Sequence, residues 1–95
     1  MEKVWALVFS DSNNNWANYS IFDGNYLYIC GNMQSFDGIW RPFIAKFDVN
    51  KRSFEWCKVI ADLKGGAHRL LIKGNKIFVW GSEFLICLDQ HGNIL

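Results

Sequence analysis

Two runs fifty positions apart constrain this chain more than any other feature. Gly24-Asn25-Tyr26-Leu27-Tyr28-Ile29-Cys30-Gly31 falls on Gly74-Asn75-Lys76-Ile77-Phe78-Val79-Trp80-Gly81 at a shift of 50. Each reads as a glycine-led turn, an alternating strand and a second glycine. At a shift of 41, Phe43-Ile44-Ala45-Lys46-Phe47-Asp48 falls on Phe84-Leu85-Ile86-Cys87-Leu88-Asp89. At a shift of 51, Trp5, Val8, Phe9 and Asp11 fall on Trp56, Val59, Ile60 and Asp62. An internal period of this length means stacked copies of one supersecondary unit.

Helical periodicity is nearly absent. Runs of Val, Ile, Phe, Tyr and Trp alternate with Asp, Asn, Gly and Ser turns, the pattern of an all-β fold. The expected strands are Lys3–Ser10, Asn18–Phe22, Tyr26–Gly31, Phe43–Asp48, Ser53–Ile60, His68–Ile72, Lys76–Trp80 and Phe84–Asp89, with a short run at Asn93–Leu95. The first repeat is a four-stranded antiparallel unit over about residues 18–60. The second covers about residues 68–95 and has only its first three strands. Its missing fourth strand matches Lys3–Ser10, with Leu95 and Lys3 both falling on Phe54.

A four-stranded meander repeated in this way resembles the blades of β-propellers of the quinoprotein-like and kelch-like type. The motifs that carry the resemblance are Gly-Asn-x-hydrophobic-aromatic-hydrophobic-x-Gly, then hydrophobic-x-x-Asp, a turn and a strand bearing Trp. The resemblance covers essentially the whole chain and implies a superfold rather than a function. No quinoprotein cofactor site is identifiable, and no cofactor is expected. Ser35–Trp40 looks like the Asp-box of sialidase propellers, but its spacing fails and it sits in a different turn. The expected fold is two propeller blades with circularly permuted ends. Lys3–Ser10 of one copy would complete the second blade of a neighbour and so close a ring. Head-to-tail contacts can close into rings. Propellers have about four to eight blades, so two, three or four copies fit, and three copies making six blades are favoured. A piece of a longer propeller and a two-sheet β-sandwich monomer remain the alternatives.

Composition agrees with association. Hydrophobic residues make up 51% of 95 residues, with five Trp and eight Phe. One domain of this size buries only about 60–65% of its unfolded surface, so some of this apolar surface is expected to pack on another copy. The alternative is an aromatic-rich monomeric core. Ten Lys and Arg against nine Asp and Glu leave no basic run, which gives no support to nucleic acid or a membrane as a partner. The N-terminus does not read as a signal peptide. Cys30, Cys57 and Cys87 are odd in number and lie in apolar runs. They read as buried free thiols of a reducing, cytoplasmic compartment.

Turns of a meander alternate between the ends of the sheet. The short ones (Asp23-Gly24, Lys73-Gly74, Asn50–Arg52, His91-Gly92) fall on one side. The long ones (Asp11–Ala17, Asn32–Pro42, Ala61–Ala67), with Ser82-Glu83, fall on the other. Two long loops carry the candidate ligand residues: Asn14, Asn15 and Trp16 in one, and Asp37, Trp40 and Arg41 in the other. Amides, a carboxylate, a guanidinium and flat rings suit a carbohydrate or peptide. The competing reading makes these residues turn formers and packing groups. No spacing supports a catalytic constellation or a metal site, since His68 and His91 fall at opposite ends. Three functions are therefore open: a non-enzymatic binding or scaffold ring, a subunit or fragment of a propeller enzyme, and a purely structural or engineered half-propeller.

Overall fold

In a computed structural model, residues 15–34 and 37–95 are described. The expected strand Lys3–Ser10, together with Asn14, Ser35 and Phe36, lies outside them. Seven strands form: β1 Asn15–Asp23, β2 Tyr26–Gln34, β3 Trp40–Asp48, β4 Ser53–Val59, β5 Arg69–Lys73, β6 Lys76–Trp80 and β7 Leu85–Asp89. They make two antiparallel sheets, one of order β1-β2-β3-β4 and one of order β5-β6-β7. The described residues contain no helix, so none long and apolar enough to cross a membrane.

The hairpin turns follow from two glycines. Gly24 and Gly74 both have φ of 61°, and each begins a two-residue Gly-Asn loop. Positive φ at the first central residue only is the type II′ geometry, whose twist matches that of the flanking strands. Asp23 then pairs with Tyr26, and Lys73 with Lys76. The registers of the two sheets superpose under the sequence shifts. Tyr28 faces Lys46, and Phe78 faces Cys87; Cys30 faces Tyr19, and Trp80 faces Arg69.

Several boundaries differ from the sequence reading. Residues 32–34 and 40–42 extend β2 and β3 instead of forming a loop, because Asn32 pairs with Pro42 and Gln34 with Trp40. Pro42 is tolerated in this inner strand because its backbone faces β4, where its carbonyl accepts from the Ile60 amide just past the strand's end. Similarly, Asn15–Ala17 belong to β1 rather than to a loop. At the other end, the turn between Asp89 and Asn93 is one residue shorter than that between Asp48 and Ser53. Gly92 (φ 85°) replaces Arg52 (φ 56°) as its left-handed residue. Ile94 rather than Leu95 therefore takes the position of Phe54, bridging to Leu88 as Phe54 pairs with Phe47.

The sheets pack through unlike faces. One face of the four-stranded sheet contributes Tyr28, Cys30 and Ile44 to the core. The three-stranded sheet contributes Leu70, Ile77, Val79 and Leu88. Under the sequence shifts, Tyr28 corresponds to Phe78 and Ile44 to Leu85. These are one residue out of step with Ile77 and Val79, and so lie on the opposite face. The sheets are thus stacked in one direction, like successive copies of a layer. The connection between them crosses the end of the first sheet. The Ala67 amide donates to the Gly31 carbonyl at 3.0 Å, and Asn18 Nδ2 donates to the Ala67 carbonyl at 3.0 Å.

Gly31 and Gly81 correspond under the same shift, and both are required by close backbone approach. A Cβ at Gly31 would lie 1.8 Å from the Trp16 carbonyl oxygen, and one at Gly81 would lie 2.4 Å from that of Gly66. Trp16 and Gly66 also correspond, so the two sheets repeat this constraint. Gly31→Ala is expected to destabilise the chain by about 3 kcal/mol in urea unfolding. Gly24→Ala, which meets no atom within 4 Å, should lose only about 1 kcal/mol through its positive φ.

Candidate functional site

The expected ligand residues gather at one end of the four-stranded sheet, where β2 carries Asn32 and Gln34 on one face. Trp16 lies directly opposite Asn32 and Trp40 directly opposite Gln34, on the two flanking strands. Residues paired in this way project from the same face. Two indoles therefore flank two amides. Trp16 is 63% exposed, and Trp40 is half-buried. Asn14 lies outside the described residues, and Asn15 is placed by its backbone opposite Met33.

Asp37 and Arg41 are brought together, but for a structural purpose. Asp37 Oδ1 accepts from the Ile39 amide at 3.0 Å, shaping the turn, and Arg41 Nη2 donates to Asp37 Oδ2 at 3.0 Å. Arg41 Nη1 donates to the carbonyls of Ala61 and Leu63, so the guanidinium braces the β2–β3 turn against the link between the sheets. Gln34 Nε2 donates to the Gly38 carbonyl at 3.1 Å and closes the same turn. The Asn32 amide oxygen accepts from Asn18 Nδ2 at 2.9 Å. Of the expected site residues that the structure describes, the exposed ring of Trp16 and the half-buried ring of Trp40 are the surfaces a ligand would meet.

Sequence reasoning missed a second feature, a clamp between the sheets. Lys46 is 9% exposed in β3, with its ammonium 4.1 Å from the Tyr26 ring centroid and 3.4 Å from the Gln90 carbonyl. Trp56 Nε1 donates to the same carbonyl at 3.0 Å, and its ring covers Gly92 so closely that a Cβ there would lie 3.0 Å away. The Trp in the repeated strand signalled packing; a buried lysine gives no signal without the tyrosine opposite it.

A third feature lies on the far face of the three-stranded sheet. Phe78, Leu85, Ile86, Cys87, Ile94 and Leu95 line an open cleft of about 340 Å³. Leu85 is 68% exposed, whereas its counterpart Ile44 is fully buried. None of the three cysteines is in a disulfide, and their settings differ. Cys30 is buried, which pushes its pKa up to about 12; Cys87 is half-buried, and Cys57 is exposed rather than buried as expected. Among the described residues no group of three His, Cys, Asp or Glu side chains could hold a metal ion.

No protein-family model matches this chain, and comparison with curated proteins and with solved structures finds no match.

Arg41→Lys is expected to lose about 1–2 kcal/mol in urea unfolding, because one ammonium cannot serve the Asp37 carboxylate and two carbonyls at once. The Ile39 amide and then Arg41 hold the Asp37 carboxyl below its ordinary range, and the Asn93 amide does the same for Asp89. Their contributions are complete above the unfolded carboxylate pKa of about 3.9 and are lost as pH falls through the lower folded values. Stability should therefore fall below about pH 4, and the Asp37→Asn, Asp89→Asn double variant should show a shallower acid limb.

Proposed function

We propose that this chain is a non-catalytic scaffold whose copies stack head to tail into a closed ring of propeller blades. Each copy would contribute two blades. Three copies giving six blades fall within the range of about four to eight that such rings contain. One observation carries this reading. The face of the four-stranded sheet that the three-stranded sheet buries corresponds, under the repeat shifts, to the far face of the three-stranded sheet, which is exposed at Leu71 and Leu85 and half-buried at Phe78, Trp80 and Cys87. Ile44 is 0% exposed and its counterpart Leu85 is 68%; half-buried Ile21 corresponds to Leu71, which is 49% exposed. A contact that joins unlike faces is head to tail, and head-to-tail contacts that repeat can close into rings. The long-loop end, with Trp16 and Trp40 flanking β2, would be the ligand face. Flat rings beside amides suit a carbohydrate or a peptide.

Light scattering coupled to gel filtration tests the assembly. The expected mass is three times the 11.0 kDa of the chain, stable to dilution. Burial of each large aliphatic is worth about 1.5–3 kcal/mol, so Leu71→Asp with Leu85→Asp should release monomers. A wild-type monomer would overturn the ring, and a polydisperse species would favour blades of a longer propeller. Trp16→Ala should leave the mass unchanged and remove binding on a glycan or peptide array. Unchanged binding would remove Trp16 from the site.

A further inference from the structure

β7 is the edge of the three-stranded sheet and carries a single bridge, Leu88 to Ile94. In the four-stranded sheet, the β3 edge is covered by β4 through the pairs Lys46–Trp56, Ala45–Cys57, Ile44–Lys58 and Phe43–Val59. In the three-stranded sheet, the corresponding edge of β7 is covered, among the described residues, only at its end. Ile94 bridges to Leu88, and the Leu95 amide donates to the Cys87 carbonyl at 2.9 Å. Beyond that point the edge passes Ile86 and Leu85, both of which line the apolar cleft.

We infer that this edge takes residues 5–8 of a second copy as its fourth strand, an inference that rests on the proposed ring. Carrying the β3–β4 register through the repeat shifts pairs Trp5 with Cys87, Ala6 with Ile86, Leu7 with Leu85 and Val8 with Phe84. Two observations support this occupant. Trp-Ala-Leu-Val is uncharged and apolar, as the cleft is. The pairs place Trp5 and Leu7 on the open face beside Leu85 and Cys87, and Ala6 and Val8 on the face that meets the core.

The same carry-over gives Trp5 a partner. Trp56 seals the four-stranded sheet onto the turn at Gln90–Gly92 of the next sheet. Trp5, on the completed second sheet, would seal onto the turn at Asn50–Arg52 of the following four-stranded sheet. Each junction of the ring is then closed by a tryptophan laid on a β3–β4-type turn.

The full-length variant Ala6→Cys, Ile86→Cys tests this. The corresponding Ala45–Cys57 pair lies three positions, an odd number, from the hydrogen-bonded Pro42–Ile60 register, hence a non-hydrogen-bonded pair, whose separation suits a disulfide. Isotope-labelled and unlabelled protein are refolded together, oxidised, digested and mapped by mass spectrometry. A 6–86 link is expected, with about half of the linked pairs carrying one labelled and one unlabelled peptide. Links confined to like-labelled peptides would show each chain filling its own edge and overturn the inference. Val8→Cys with Phe84→Cys is the second pair, should the first fail to fold. A defined oligomer with neither link overturns the strand assignment and leaves the ring intact. A monomer with neither link overturns both.

Discussion

Tyr28, Cys30 and Ile44 of one sheet packing onto Leu70, Ile77, Val79 and Leu88 of the other is the contact on which the rest of this molecule depends. A chain of 95 residues has little volume in which to hide apolar surface. Joining two sheets buries one face of each, with each large aliphatic worth about 1.5–3 kcal/mol. The contact is directional. It uses opposite faces of two units that share register, turn geometry and the positions of their close-approach glycines. A mirrored packing would have used the same face twice and been complete with two sheets. The directional packing satisfies the inner pair of faces and leaves Leu71, Phe78 and Leu85 without the cover that Ile21, Tyr28 and Ile44 receive.

The clamp at Gln90 shows how the two units specialise within a shared plan. Lys46 and Cys87 occupy equivalent positions, yet one carries a charge into the junction. That charge is offset by the Tyr26 ring face and the Gln90 carbonyl, an arrangement worth about 0.5–2 kcal/mol for the ring contact. Trp56 donates to the same carbonyl, so one backbone oxygen of the second sheet accepts from both side chains of the first. Gly92 lets the turn pass under the indole. Where the position of Gly92 is taken by Arg52, the turn is one residue longer and exposed. The two turns therefore differ where one already lies under a tryptophan and the other does not.

Much of the fold was legible because its signals are local. Gly-Asn dictates the same turn twice, and alternation of large apolar residues carries the strands on from it. The repeat shifts relate the two hairpins pair for pair, carrying Tyr28–Lys46 onto Phe78–Cys87. The sequence reading broke where pairing outruns composition. Asp37-Gly38 and Pro42 punctuate residues 32–42 as a loop, but a two-sided ladder tolerates a proline whose missing donor faces the end of β4. The site was less legible. Asp37 and Arg41 suggest ligand binding by residue type, whereas their bonds go to Ile39, Ala61 and Leu63 within the chain. Only contacts distant in sequence reveal that use, and no motif encodes them. Lys46 was equally hidden, because a lysine in a strand reads as solvent-facing until its tyrosine is found.

An edge strand with free backbone groups and an apolar cleft beside it is an aggregation hazard unless something covers it. Soluble proteins commonly blunt such edges with charge, proline or a bulge. Residues 85–88 of β7 carry neither charge nor proline; its one charge, Asp89, lies at the end already bonded to Asn93, and the chain's single proline is in β3. The four-stranded sheet deals with the same edge by adding β4, whose Lys58 and Glu55 put charge on the outermost strand. Two sheets with one plan thus end differently, one with a charged outer strand and one with an apolar inner strand at its border. In the proposed ring, a segment with the β4 pattern fills the outer position of the second sheet, and under the repeat shift the Trp of that pattern falls on Trp5.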